Sequence, residues 1–213
     1  MSRWRPDPLS LLLPDDLPMV EGVAELASRV RALALPRGRR VKCIVPAPFV
    51  RYVLVPWNAR MQGRRARQVF AEHWFCEAYG ELARDWLVRV DASRYGAAAL
   101  ACAMNAELPG ILAQLAQECG LMLESVEPAL VHAFNAMPEP PRAGADWIVV
   151  PGSGTLTLLL VEDGLPLRVA LAAGSTDRLD AVLRREWFAL GRTDTWSRVH
   201  VCALPALPQA VAA

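Results

Sequence analysis

The sequence has 213 residues, of which 54% are apolar and 21% are charged, and its formal net charge is +1. This composition is typical of a folded globular protein and excludes a largely disordered chain. A charge so close to zero produces no overall field that would attract nucleic acid or an acidic membrane, so we expect neither as a direct partner.

The N-terminal half, residues 1–137, predicts one lobe of mixed helices and strands. Residues 1–22 are rich in proline and acidic side chains, which indicates an irregular lead-in. Beyond them, apolar spacings of three and four residues favour helices, and alternation or short apolar runs favour strands. In chain order we predict a helix at 23–35, strands at 41–45 and 49–55, a long helix at 60–82, and a strand at 86–90.

Residues 98–126 have the pattern of a β-α-β unit. A buried apolar run at 98–104 is followed by Asn105, a good N-cap, and the next helix ends at Gly120. Because β-α-β units join parallel strands through a crossover helix, we expect the strands 98–104 and 121–126 to be parallel neighbours. One more short helix is predicted at 128–137.

A linker at 138–144, which contains three prolines, separates this lobe from residues 146–213. The second segment predicts the order β-β-β-α-β, with its first three strands joined by tight turns as antiparallel hairpins. Its elements are expected at 147–150, 156–161, 165–171, 177–190 and 199–204. The sequence therefore predicts an α/β protein with mixed sheets and two lobes.

The cysteines and the apolar runs indicate the compartment. The five cysteines have no paired spacing and lie in apolar segments, so we interpret them as reduced core residues. No apolar run approaches the ~20 residues of a transmembrane helix, and the run at 9–13 is too short for a secretory signal. We expect a cytoplasmic protein that does not itself span a membrane.

Two segments resemble a known family. The strand Phe49–Trp57 looks like the strand that opens the inserted subdomain of PilM-type and GspL-type proteins. The stretch from the helix before Gly120 to the strand ending near Pro128 is similar to another of their segments, and the resemblance covers roughly residues 40–204. It implies a degenerate actin-like, ribonuclease-H-like fold with two lobes.

The same resemblance implies a role in the inner-membrane assembly platform of a type IV pilus or type II secretion system. The chain would be a non-catalytic scaffold or adaptor that binds the cytoplasmic tail of a membrane partner. Its location would then be cytoplasmic and peripheral to the inner membrane through that partner, and a homo- or hetero-oligomer is compatible with such a role.

One turn decides between a scaffold and a nucleotide-binding protein. In the resemblance, Pro151 occupies the position where nucleotide-binding members carry an Asp, and residues 1–40 contain no Gly-x-Asp-x-Gly pattern. A carboxylate there is needed to position the metal-bound phosphate or the attacking water. We therefore predict no enzyme activity, no catalytic residue, no cofactor and no metal, and a vestigial phosphate-loop-like turn made of Pro151, Gly152, Ser153, Gly154 and Thr155.

The alternative is an actin-like ATP-binding protein with divergent phosphate loops. Backbone N–H groups of the turn Gly152–Thr155 would then hold the phosphate without the carboxylate.

The aromatic residues between 49 and 79 suggest where a partner binds. We predict that Trp57 and Trp74 rim an apolar groove for a partner peptide, with Phe49 and Tyr52 beside them, since aromatic side chains are favoured as interface anchors. Ordinary core packing is the alternative for all four.

Two other clusters have a functional and a structural interpretation. His73 and Cys76 lie three residues apart on the predicted long helix, which suits a metal ligand pair or a Cys–His nucleophile; core packing is favoured. A basic patch for anionic lipid or an acidic partner is conceivable, but a solvated, charge-balanced face is favoured. Its members would be Arg37, Arg39, Arg40, Lys42, Arg60, Arg64, Arg65 and Arg67.

Overall fold

The computed structural model describes residues 7–59, 63–91 and 94–205 and arranges their strands in three sheets. The strands are β1 (Leu9–Leu12), β2 (Arg40–Val45), β3 (Val50–Val55), β4 (Trp86–Val90), β5 (Ala99–Asn105), β6 (Met122–Pro128), β7 (Ala145–Pro151), β8 (Thr155–Glu162), β9 (Leu165–Ala173) and β10 (Arg198–Val201). The helices are α1 (Met19–Ala32), α2 (Arg64–Tyr79), α3 (Leu108–Glu118), α4 (Ala129–Asn135) and α5 (Leu179–Ala189).

The first sheet is parallel, in the order β1-β2-β6, and α1 and α3 contribute to the core beside it. The prediction of an irregular lead-in is wrong for Leu9–Leu12, which pairs in register with residues 41–44. Four residues are too few to show a period, and the pairing partner lies more than 30 residues away, so the local pattern concealed the strand.

The second sheet is antiparallel, in the order β3-β5-β4, and α2 covers one of its faces. Phe75 of α2 is fully buried against the small side chains of Ala99, Ala101 and Ala103 on β5. Alanines on alternate positions of a strand leave room for a helix to pack closely with a large aromatic ring.

The predicted β-α-β unit is wrong in its pairing. β5 and β6 are joined by α3, as expected, but β5 pairs with β3 and β4 whereas β6 pairs with β2. Residues 50–105 contain the whole antiparallel sheet, so α3 returns the chain to the first sheet instead of crossing over within one sheet. The β-strand period indicates which side chains share a face, but it does not indicate which strand lies alongside.

The second lobe confirms the predicted β-β-β-α-β order. β7, β8 and β9 form the antiparallel meander, and β10 joins the free edge of β7 in parallel. On one face Trp147 packs against Trp187 of α5, with ring centroids 6.4 Å apart. On the other, Ile148, Val150 and residues of β8 pack against α4 and Ile44, so the two lobes share a buried core.

The helices of the described residues are too short or too polar to cross a lipid bilayer.

Tyr52 of β3 contacts both the core of the first sheet and the core that the two lobes share. Its hydroxyl accepts a hydrogen bond of 3.4 Å from the backbone N–H of Leu130. Burial raises the pKa of Tyr52 above its usual range, although the bond from Leu130 acts in the opposite direction.

We predict that Tyr52→Ala lowers the free energy of unfolding by about 2–4 kcal/mol, because it leaves a cavity between two cores. Tyr52→Phe keeps the ring and loses one long hydrogen bond, so its cost should stay near or below about 1 kcal/mol. Urea unfolding measures both, with Val69→Ala as the control at a position that is 56% exposed. A cost for Tyr52→Ala no larger than that of Tyr52→Phe would contradict this role.

Candidate partner-binding groove

An open groove of about 780 Å³ lies between the antiparallel sheet of the first lobe, strand β6, helix α4 and the second lobe. We call it the interlobe groove. The residues that line it include Leu87, Arg89, Leu100, Cys102, residues 123–128, Val131, Phe134, Leu165 and Pro166.

The groove exists because other elements cover only part of one face of the antiparallel sheet. Side chains at odd positions of β5 face α2, and those at even positions point to the opposite face. There Met104 is buried in the core of the first sheet, Leu100 and Cys102 are only half-buried, and all three line the groove. An apolar sheet face is thus left partly open to solvent.

Strand β6 forms one wall with its edge. It is an outer strand of the first sheet, residues 123–128 all line the groove, and the register with β2 shifts at Glu124. This consecutive series places the outer edge of the strand beside the groove. The outer N–H and C=O groups of an edge strand are able to pair with another extended chain.

A polar network stands on the β6 wall around Glu127. Its carboxylate accepts a hydrogen bond of 2.7 Å from the Ser125 hydroxyl, and the other oxygen lies 2.8 Å from Nδ1 of His132 and 4.0 Å from Nζ of Lys42. Burial acts against the charge on Glu127, but the two hydrogen bonds and the nearby Lys42 together hold its pKa below the usual value of 4.5. The groove therefore presents a fixed carboxylate among apolar surfaces.

The nucleophilic side chains that line the groove are not activated. Ser125 donates its proton to Glu127 and not to a histidine nitrogen, so this arrangement orients a carboxylate and lacks the Ser–His contact of a nucleophilic pair. Burial raises the pKa of the Cys102 thiol to about 11, with Arg89 acting in the opposite direction, so the thiol is protonated near neutral pH. These groups suit contact with a ligand better than chemistry on it.

The structure does not bring together the four aromatic residues that the sequence suggested as a partner site. Trp57 is 40% exposed, lies edge-on to Tyr95 with centroids 5.0 Å apart, and lines a separate cavity of about 190 Å³ with Phe70. Trp74 is half-buried, with its ring centroid 5.8 Å from that of Phe70.

Phe49 and Tyr52 pack against the core of the first sheet, and neither lines the interlobe groove.

The sequence analysis did not identify the groove residues Leu87, Leu100 and Val131. Leu87 and Leu100 are apolar residues on one face of neighbouring strands, opposite the face that packs on α2. This signal was present in the sequence but could be used only with the strand order known.

The turn that the sequence suggested as a vestigial phosphate loop is a closed hairpin between β7 and β8. The N–H of Gly152 donates to the carbonyl of Thr155 at 2.8 Å, and Pro151 pairs with Leu156. The N–H and hydroxyl of Ser153 both donate to the carboxylate of Asp15, each at 2.7 Å. The turn has no carboxylate of its own, but Asp15 from the loop after β1 brings one to it.

The two remaining clusters have structural contacts. His73 is exposed and lies 3.2 Å from Glu77, and Cys76 packs against the core under α2. Among residues 7–59, 63–91 and 94–205, no three His, Cys, Asp or Glu side chains are grouped as metal ligands.

Within the candidate basic patch, Arg40 pairs with Glu124 and Lys42 faces Glu127. Arg39 donates to the carbonyl of Asp7 at 3.0 Å. Arg60 lies outside the described residues. These contacts favour the charge-balanced face over an anion-binding patch.

Solved structures with a similar fold support the actin-like architecture. The cytoplasmic domain of EpsL, an inner-membrane component of the type II secretion system of Vibrio cholerae, superposes with a TM-score of 0.56 at 12% identity, over 90% of this chain and 71% of that chain. A Bacteroides thetaiotaomicron protein of unknown function with an actin-like ATPase fold superposes with a TM-score of 0.55 at 10% identity, over 87% and 68%.

The PilM–PilN type IV pilus biogenesis complex is also matched, but its TM-score of 0.45, at 14% identity over 75% of this chain and 52% of that one, is too low to bear on the fold. No family model matches the sequence, and no curated protein matches it at a significant level. The similarities confirm the two-lobed, actin-like α/β fold that the sequence resemblance implied.

We predict that Ser125→Ala raises the pKa of Glu127, because it removes one of the hydrogen bonds that favour the ionised form. Since the pKa of Glu127 is lowered in the folded protein, its charge stabilises the fold above about pH 4.5, and this contribution disappears as the pH falls through the folded pKa. Carboxyl NMR titration measures the shift.

Ser175→Ala, at an exposed position, is the control for that titration. An unchanged pKa of Glu127 in Ser125→Ala would show that the Ser125 bond does not stabilise the carboxylate.

Proposed function

We propose that this chain is a non-catalytic cytoplasmic scaffold in the inner-membrane assembly platform of a type IV pilus or type II secretion system. In this role it binds the cytoplasmic tail of a membrane partner and is held at the inner membrane through it. The observation that carries the proposal is the interlobe groove, in which the outer edge of β6, which pairs with no other strand of the described residues, borders an apolar surface.

The shape of the groove favours an extended peptide. The six residues of β6 that line the groove, at about 3.3 Å each, give roughly 20 Å of strand edge for pairing. In strand addition the backbone hydrogen bonds provide affinity and alternate side chains of the peptide provide specificity. One set of alternate side chains would enter the space between Leu100 and Val131, where the lining is apolar.

The charged groups of the groove favour a short peptide that carries both polar and apolar side chains. Glu127, fixed by Ser125 and His132, provides a hydrogen-bond acceptor of defined position, and Arg89 is an exposed donor on the opposite wall. A peptide with alternating apolar side chains and a basic group near the β6 wall fits this arrangement.

The fold similarity supports the choice of system. EpsL is an inner-membrane component of a type II secretion system, and its cytoplasmic domain has the same fold as most of this chain. A role for this chain beside an inner-membrane protein extends that similarity, together with the sequence resemblance, to function.

Binding of synthetic peptides tests the proposal. The peptides are the cytoplasmic tails of inner-membrane proteins whose genes lie beside the gene of this chain. Their affinity for the chain is measured by fluorescence anisotropy. Leu87→Asp and Val131→Glu introduce charge into the groove at half-buried positions outside the four buried clusters, so folding should survive. We expect each to weaken the binding of a recognised tail at least about tenfold, or 1.4 kcal/mol.

Two control variants keep this experiment specific to the groove. Val69→Glu, at an exposed position of α2 outside the groove, should leave the affinity unchanged. Trp57→Ala tests the site suggested by the sequence and should also have little effect. Loss of binding in Trp57→Ala with normal binding in Leu87→Asp would place the tail in the smaller cavity and contradict the groove.

The alternative function, ATP binding, requires hydrogen-bond donors in the turn Gly152–Thr155 that are free to bind phosphate. Ser153 already donates its N–H and hydroxyl to Asp15. We therefore expect calorimetry with magnesium and ATP to detect no binding at micromolar concentrations. Micromolar affinity would instead favour an actin-like ATP-binding protein.

A further inference from the structure

The loop after β1 and the turn between β7 and β8 meet across 138 residues of sequence. Asp15 Oδ2 accepts the backbone N–H of Ser153, and Oδ1 accepts its hydroxyl, each at 2.7 Å. Both distances are typical of charge-assisted hydrogen bonds, which are stronger than those between neutral groups. One residue of the second lobe thus holds both oxygens of a carboxylate that belongs to the first lobe.

Gly152 lacks the side chain that would collide with the Asp15 carboxylate. A Cβ built on Gly152 would lie 2.8 Å from Asp15 Oδ2 and 3.2 Å from the hydroxyl oxygen of Thr155. Its backbone φ is not in the left-handed region, so the backbone conformation does not require glycine at this position. The glycine is explained by the close approach of the carboxylate.

Asp15 is presented to the turn by a fixed segment. Leu13 is fully buried, and its N–H donates to the carbonyl of Ile44 at 3.0 Å. Pro14 is also buried, and its carbonyl would be 3.4 Å from a Cβ on Gly22 of α1. With its neighbours immobilised, the carboxylate reaches the turn at a small additional cost in conformational entropy.

We propose that the turn Gly152–Thr155 is an anion-binding site whose ligand is the carboxylate of Asp15 in the same chain. The two hydrogen bonds link the first lobe to the second where the loop after β1 meets the turn between β7 and β8. They add a polar contact to the apolar core that the lobes share, and they make the donors of Ser153 unavailable to other anions. This inference does not depend on the partner or on the interlobe groove.

A set of thermal unfolding measurements tests the fastening. Asp15→Ala should lower Tm by about 2–6 °C, given the shift of about 2–4 °C per kcal/mol for a chain of this size. Asp15→Asn keeps one acceptor oxygen and should fall between Asp15→Ala and the unaltered protein. Asp16→Ala changes the adjacent exposed carboxylate and should shift Tm by less than about 1 °C.

Double variants separate this contact from general destabilisation. Gly152→Ala should lower Tm when Asp15 is present and have a clearly smaller effect in the Asp15→Ala background, where the carboxylate that meets the new Cβ is gone. Ser153→Ala should likewise add little to Asp15→Ala. Additive effects in both pairs, or equal Tm values for Asp15→Ala and Asp16→Ala, would overturn the proposal.

Hydrogen exchange at the Ser153 amide gives a second readout that a general loss of stability would not confine to one residue. We expect exchange to be at least tenfold faster in Asp15→Ala than in Asp16→Ala, with little change at the amide of Gly152, which donates to Thr155 within the turn. If 10 mM inorganic phosphate slowed exchange at Ser153 in the unaltered protein, the turn would be an open anion site and Asp15 would not be its ligand.

Discussion

The antiparallel sheet of the first lobe packs one of its faces against α2 and leaves part of the other open, and the candidate site follows from this constraint. Alternate alanines on β5 let α2 pack closely on one side. On the opposite side Met104 is buried in the core beside the parallel sheet, whereas Leu100 is only half-buried at the groove. Because β6 is an outer strand of its sheet in the described part of the chain, the groove combines an apolar surface with the outer backbone edge of a strand.

The second lobe completes the groove and is itself held by two different contacts. The face of its sheet opposite α5 packs on α4 and on the first sheet, which places Leu165 and Pro166 at the groove wall. The bond from Ser153 to Asp15 joins the lobes through the turn between β7 and β8. These contacts fix the position of the second lobe beside the groove.

Local sequence patterns predicted the elements well and their long-range contacts poorly. The meander β7–β9 and helix α5 have strong periodicity and tight turns between them, so their prediction is confirmed. The pairing of β5 and β6 was wrong because an inserted sheet leaves no local mark on the helix that follows it. Asp15 was missed as a ligand of the turn for a similar reason, since its partner lies 138 residues away.

Hydrogen exchange along β6 in the presence of a recognised partner tail tests whether the tail binds as an added strand. We expect the outward-facing amides of residues 123–127 to become protected on binding, since a paired strand would accept their hydrogen bonds. Exchange at Val69 and at other exposed positions of α2, away from the groove, should not change. Tight binding of the tail with unchanged exchange along β6, and with added protection around Trp57, would show that the tail binds elsewhere.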